Sequence, residues 1–258
     1  TLGPHAPYTC PPDYLRRVME LREELQVPIQ IHLAETEWEV DYCKEKFNKT
    51  PTEHLDSIDM FNGKTLAAHC VHLNQEDIEV LAKKRVQVAH NPGSNLKLGS
   101  GIAPLPELLK AGVDVSLGTD SAASNNNLDM LEEIRLAALI HKGINKNPML
   151  VPAETALKMA TVNGGKAVFN EQIGLLEEGK IADLIIFDFQ NKAHLCPGHN
   201  QISDIVYSAQ SKDIETVIIN GNIVLEKGTC KLLDEEKIIY EATQRGFGLA
   251  RKQKSVKD

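Results

Sequence analysis

Four short apolar runs in this chain each lead to a side chain that can bind a metal ion or move a proton. Residues 27–31 run into His32, 65–68 into His69, 86–89 into His90, and 113–118 are followed by Asp120. Imidazole nitrogens and carboxylates ligate divalent transition metals, and they are the commonest general acids and bases. A lone histidine is ordinarily a packed or solvated side chain. Four such groups at corresponding places in successive units point to a site. His54 and His141 fall inside helix-period patterns and carry no such signal.

The elements that must position these groups alternate. Residues 12–25 place Tyr14, Leu15, Val18, Met19, Leu21 and Leu25 at helical spacing, and 38–47, 75–84 and 104–111 repeat the pattern between the apolar runs. A longer helix is expected over 128–142, with Glu132 and Glu133 early and Lys142 late, as the helix dipole favours. The stretch 91–104, rich in Asn, Gly and Ser, reads as a loop. Strands alternating with helices imply a parallel sheet. In a (β/α)8 barrel the C-terminal strand ends converge on the face that carries the site. From residue 171 the pattern changes. Residues 173–180 leading into 182–188 read as a glycine-turned strand pair. Residues 216–225 read as a hairpin about Asn220-Gly221, and a polar helix starts near Asp234. The expected division is a barrel portion over 1–170, a small β-module over 171–230 and a C-terminal helix over 231–258.

Composition narrows the class. The 258 residues are 42% hydrophobic and 25% charged, ordinary for a globular chain and unlike disordered sequences. A net charge of −8 argues against a nucleic-acid partner, and no run of about 18 apolar residues suggests a membrane span. Five dispersed cysteines without a C-x-x-C pair read as reduced thiols, and with no secretory leader in view a cytoplasmic location is expected. The triplet Asn48-Lys49-Thr50 and the phosphate-loop-like 174–180, which has Ile181 where Ser or Thr is required, are set aside.

Five motifs occur in one order: Gly3-Pro4-His5-Ala6-Pro7-Tyr8-Thr9, Ile31-His32-Leu33-Ala34-Glu35-Thr36, Ala68-His69-Cys70-Val71-His72, His90-Asn91-Pro92-Gly93-Ser94-Asn95 and Leu117-Gly118-Thr119-Asp120. With the segment 178–184, they make the chain resemble the amidohydrolase superfamily. The nearest branch is that of 5-methylthioadenosine/S-adenosylhomocysteine deaminases, with chlorohydrolase and cytosine-deaminase-like relatives. The resemblance implies an α/β fold: the second half of a metal-dependent (β/α)8 TIM barrel, from the end of strand four to strand eight, plus part of a small β-sandwich and a C-terminal helix. It implies one divalent metal, zinc or iron, held by His32 and Asp120. Glu35, His69 and Asp120 would be catalytic: Glu35 shuttling a proton to the purine ring, His69 polarising the attacking water, Asp120 accepting its proton. His5, Glu35, Ser94, Asn95 and Ser124 would line the substrate, with Cys70 and His72 in supporting roles.

The implied reaction is hydrolytic deamination of S-adenosylhomocysteine or 5-methylthioadenosine to the inosyl product and ammonia. The alternatives are an amino- or chlorohydrolase acting on guanine or a triazine, and a metal-free scaffold. The implied partners are a small nucleoside and further copies of the chain, as a dimer or tetramer. One family feature is not found here. None of the nine histidines stands two residues from another, so the family's His-x-His pair, two further metal ligands, is expected outside this chain. The chain reads as part of a longer deaminase, and two ligands alone would not hold a catalytic metal with full affinity.

Overall fold

The computed structural model describes residues 1–190 and 192–254. Its first part is built of βα units. Helix α1 (Pro12–Leu25) precedes β1 (Ile29–Leu33), then α2 (Glu37–Phe47) and α3 (Pro51–Ser57) lead to β2 (Thr65–His69). Helix α4 (Gln75–Lys84), β3 (Gln87–His90), α5 (Pro92–Leu98), α6 (Leu105–Lys110) and β4 (Val115–Leu117) follow. The four strands form one parallel sheet in chain order, β1-β2-β3-β4, and Leu2 adds a parallel bridge to Ile29 on the outer edge of β1. Ile29, Ile31, Leu33, Ala67, Val88 and Val115 are buried, as expected of a parallel sheet with its faces covered.

Local chemistry fixes the helix starts. Thr36 accepts the amide of Glu39 at the head of α2, and Thr50 and Asn74 form reciprocal capping boxes with Glu53 and Asp77. Asn48 and Thr50 of the set-aside triplet therefore end one helix and begin the next.

Two sequence expectations are corrected here. The stretch 91–104 is not one loop, because Pro92 opens α5 at its first turn and Gly99, at φ 71, closes it. Its small polar residues reflect burial against the site rather than flexibility. The stretch 173–180 is not the first arm of a strand pair. Gly174 sits at φ 89 with its α-carbon pressed on the Thr161 carbonyl, so a Cβ there would lie 2.6 Å from that oxygen.

Beyond β4 come α7 (Ala122–Asn125), α8 (Met130–Ile144), α9 (Ala153–Ala160) and α10 (Val162–Ala167). The tail contains β5 (Leu184–Phe187), α11 (Gln201–Tyr207), β6 (Ile214–Ile219), β7 (Asn222–Glu226), β8 (Thr229–Cys230) and α12 (Glu235–Lys254). Its strands form an antiparallel sheet, β5-β6-β7-β8, and β6 and β7 join through the expected Asn220-Gly221 turn, both residues at positive φ. Arg135 on α8 donates to the carbonyls of Val206 and Ala209, at 3.2 and 2.6 Å, and fastens the tail to the first part. The expected terminal helix begins at Glu235, and its last stretch, 255–258, lies outside the described residues. All five cysteines are free thiols, and no described helix is long and apolar enough to cross a membrane.

Candidate active site

The strand ends bring most of the sequence-predicted residues together. Register pairs Leu33 with His69 across β1 and β2, and the rings of His32 and His69 stack with centroids 5.4 Å apart and planes 18° apart. The His5 ring lies 5.0 Å from that of His32. Just past three of the strands the backbone turns into the left-handed region, at Ala34 (φ 50), Cys70 (φ 51) and Asp120 (φ 62), and His69 itself sits at φ 73. Non-glycine residues held this way store strain of order 1–3 kcal/mol each, and such positions cluster at functional sites.

Hydrogen bonds set the direction of each imidazole. The His32 backbone amide and its Nδ1 both donate to the His5 carbonyl, at 3.0 and 2.8 Å, which leaves the Nε2 lone pair free. The Nδ1 of His69 donates to the Asn95 side-chain oxygen at 2.8 Å, and its Nε2 faces Glu35 Oε2 at 3.8 Å, too far for a direct hydrogen bond. Glu35 is steadied by the Ser100 hydroxyl at 3.2 Å, and the Ser100 carbonyl accepts from His72 at 2.7 Å.

Asp120 is held from the other side. Ser94 and Ser124 both donate to its Oδ2, at 2.7 and 2.6 Å. Burial pushes the Asp120 carboxyl pKa up, but the bonds from Ser124 and Ser94, the Ser121 amide and the nearby His69 outweigh it and hold the acid below its ordinary value. The carboxylate is thus ionised with one oxygen engaged. An imidazole nitrogen and a carboxylate oxygen, each fixed from behind, suit part of a four-ligand zinc or iron site. Among the described residues no three His, Cys, Asp or Glu side chains converge as a metal set.

The structure separates other residues from this group or redefines them. His90 also closes its strand, but its ring is buried beside that of His141, 6.1 Å away, and neither nitrogen has a hydrogen-bond partner. Burial, with His141 and His69 nearby, pushes its pKa down to about 3, so it stays neutral. Ser94 and Asn95, expected in a loop, are buried on α5 and bonded to Asp120 and His69, and Ser124 is buried on α7. Two glutamates at the site escaped the sequence reading. Glu39 on α2 accepts the amides of Ala34 and Glu35, both at 2.9 Å, and Glu133 on α8 accepts the Gly93 amide at 2.9 Å and the Asn125 side chain at 2.7 Å.

Known proteins resemble this chain in sequence and in fold. The protein named 5-methylthioadenosine/S-adenosylhomocysteine deaminase of Dictyoglomus thermophilum is 53% identical over 97% of this chain and 59% of its own length. Its namesake in Pelotomaculum thermopropionicum is 52% identical over 97% of the chain and 58% of its own length. The chain therefore spans about three fifths of the curated relatives it matches. Among solved structures, an adenosine deaminase from Xanthomonas campestris with bound zinc superposes with a TM-score of 0.91 at 34% identity, covering 94% of this chain and 55% of that one. The zinc complex of an atrazine chlorohydrolase from Arthrobacter aurescens gives 0.89 at 26% identity, covering 95% and 54%. The amidohydrolase family model matches residues 1–224, and this chain belongs to the amidohydrolase family.

Proposed function

We propose that this chain carries the C-terminal part of a metal-dependent deaminase, which converts S-adenosylhomocysteine or 5-methylthioadenosine to the inosyl product and ammonia. The observation that carries this reading is the joined set His32, Glu35, His69 and Asp120 on one rim of the parallel sheet. The names of relatives at half identity support the substrate class. In this reading β1 to β4 are strands five to eight of a (β/α)8 barrel, and Leu2 belongs to the end of strand four. Residues 1–170 are the barrel portion, 171–230 contribute to a β-sandwich, and 231–258 hold the C-terminal helix.

His32, through Nε2, and Asp120 would hold a divalent metal, zinc by analogy with the solved relatives, together with two histidines outside this chain. When bound, the metal supplies a water ionised near neutral pH. His69 would orient that water, and Asp120 would take its proton. Glu35, close to His69 and partly exposed, protonates the ring nitrogen so that negative charge does not build up on the purine as C6 is attacked. As the C6–N bond breaks, Asp120 would give the proton it took to the departing amine, and Glu35 would recover one from the new C6 hydroxyl as that becomes the carbonyl. Positioned acid–base groups of this kind contribute about 10²–10⁴-fold each. His5 and Glu35 face the substrate, whereas Ser94, Asn95 and Ser124 act on it through Asp120 and His69. The protein is read as a cytoplasmic homo-oligomer.

The test is an ammonia-release assay on the natural gene product with S-adenosylhomocysteine, 5-methylthioadenosine and adenosine, beside guanine and an aminotriazine. Glu35→Gln should lower turnover by at least about 10²-fold while metal content stays at the parent level. Turnover near the parent rate would remove Glu35 from its role, and activity on the triazine alone would replace the nucleoside reading.

A further inference from the structure

Two carboxylates off the rim are wholly buried beside it, and one of them touches both segments that carry the Asp120 hydroxyls. Glu133, 1% exposed, accepts the Gly93 amide through Oε2 and the Asn125 side-chain amide through Oε1. Gly93 immediately precedes Ser94, and Asn125 immediately follows Ser124. Those two serines donate to the same oxygen of Asp120. Asn125 also accepts the Leu128 amide at 2.9 Å through its own oxygen, which fixes which end of its amide meets Glu133. The contact is tight enough to require a glycine. A Cβ on Gly93 would lie 2.2 Å from Glu133 Oε1 and 2.8 Å from the Asn125 nitrogen.

We infer that Glu133 is a positioning residue, a latch that clamps the start of α5 to the end of α7 and so keeps both serine hydroxyls on Asp120. Asp120 lies beyond the short strand β4, on a strained backbone, and its carboxylate meets the Ser121 amide and, among the described side chains, only those two hydroxyls. Its Oδ2 is therefore held by two hydroxyls whose segments meet at one buried glutamate. Release of either segment removes one of these hydroxyls and loosens the direction of the carboxylate, on which its reach towards a metal depends. The catalytic consequence rests on the proposed role of Asp120, whereas the geometry of the latch does not.

The latch can be rewired without changing net charge. Glu133→Gln alone places an amide nitrogen against a donor, either Gly93 or Asn125. Asn125→Asp alone sets carboxylate against carboxylate. Together they restore every bond. The introduced glutamine accepts from Gly93 through its oxygen and donates through its nitrogen to the introduced aspartate, whose other oxygen accepts from Leu128. The experiment compares the natural gene product, both single variants and the double variant by crystal structure, thermal midpoint and ammonia-release kinetics. Each single variant should move at least one serine hydroxyl beyond 3.5 Å, roughly the hydrogen-bond limit, from Asp120. It should lower kcat about 10- to 100-fold with a smaller change in KM. The double variant should recover both contacts and come within about threefold of parent kcat, a rescue that a general loss of packing would not give. Both hydroxyl contacts intact in a single variant, or a double variant no better than the worse single, would overturn the latch. Should a single variant not fold, the double variant decides alone, since it must fold, keep both contacts and turn over. A parent that releases no ammonia would defeat the deaminase reading, while the hydroxyl distances would still judge the latch.

Discussion

Glu39 offers a quantitative test of how the site is built. It sits in the first turn of α2, fully buried, with its two oxygens on the amides of Ala34 and Glu35. Burial pushes its pKa up, the two amides pull it down, the Glu35 charge adds to the rise and His32 opposes it, and the outcome is about 7 instead of 4.5. At about 1.4 kcal/mol per pKa unit, ionising Glu39 in the folded protein costs about 3 kcal/mol more than in the unfolded chain. Because the folded pKa is the higher one, stability from this group is fully present below pH 4.5 and is lost as pH rises through 7. Between about pH 5 and pH 8 the loss is about 2.5 kcal/mol. Glu39→Gln removes the titration but leaves an amide nitrogen facing one backbone donor, a pH-independent cost of about 1–3 kcal/mol. The variant should therefore be the less favoured protein near pH 5 and should gain about 2.5 kcal/mol on the parent by about pH 8. Urea unfolding of both proteins across that range, after chelation so that no cation near His32 lowers the Glu39 pKa, measures the difference. A gap between the two proteins that stays constant within about 0.5 kcal/mol would refute the buried-carboxylate account.

Two further outcomes follow from buried groups away from the rim. His90 keeps a neutral ring down to about pH 3 in the fold but takes a proton near its usual 6.5 when unfolded. Stability is lost as pH falls below 6.5, by about 2 kcal/mol at about pH 5, and His90→Phe should abolish that acid-side slope in urea unfolding. Asp213, whose side chain is inaccessible, accepts from His194 at 2.7 Å and the Gln210 amide at 2.9 Å, with Lys192 at 3.5 Å. Asp213→Ala should cost about 1.5–3 kcal/mol near neutral pH. Burial raises the Asp213 pKa, but the His194 bond leads the contacts that hold it below the ordinary range, so its contribution persists above that range. In urea unfolding, the gap between parent and variant should narrow as pH falls below the ordinary carboxylate range and through the folded value.

The parallel sheet and most of the rim were legible because their signals are local. Apolar runs that end in His32, His69 and Asp120 announce both a buried strand and the polar group at its tip, and the motif order supplied the rest. His90 obeyed the same rule and still fell out of the group: its ring is buried beside that of His141, and neither nitrogen finds a partner. The stretch 91–104 misled through composition. Gly, Ser and Asn mark flexible loops when solvated, but here Gly93 is small because a glutamate lies against it, and Ser94 and Asn95 are polar because Asp120 and His69 need donors and acceptors.

The two glutamates show where sequence reasoning meets a physical limit. Glu39 and Glu133 both stand in the first turn of a helix, where an acid ordinarily offsets the positive end of the helix dipole from solvent. Glu37 and Glu132, in the same turns, are exposed and fit that description. Nothing in the local pattern separates the members of each pair, since both positions suit an acid for the same reason. The difference is made by what packs on the helix start: the strained backbone after β1 in one case and the α5–α7 junction in the other. Each presents orphaned amide donors that only an acceptor arriving from another element can satisfy. A strand-end site on a parallel sheet must bend its backbone sharply to aim its side chains, and the bend strips amides of their ladder partners. Glu39, on the helix that follows β1, receives two such amides, and Glu133 receives the first-turn amide of α5 and the Asn125 side chain, so a residue that looks like dipole chemistry in the sequence becomes a support of the rim in the fold.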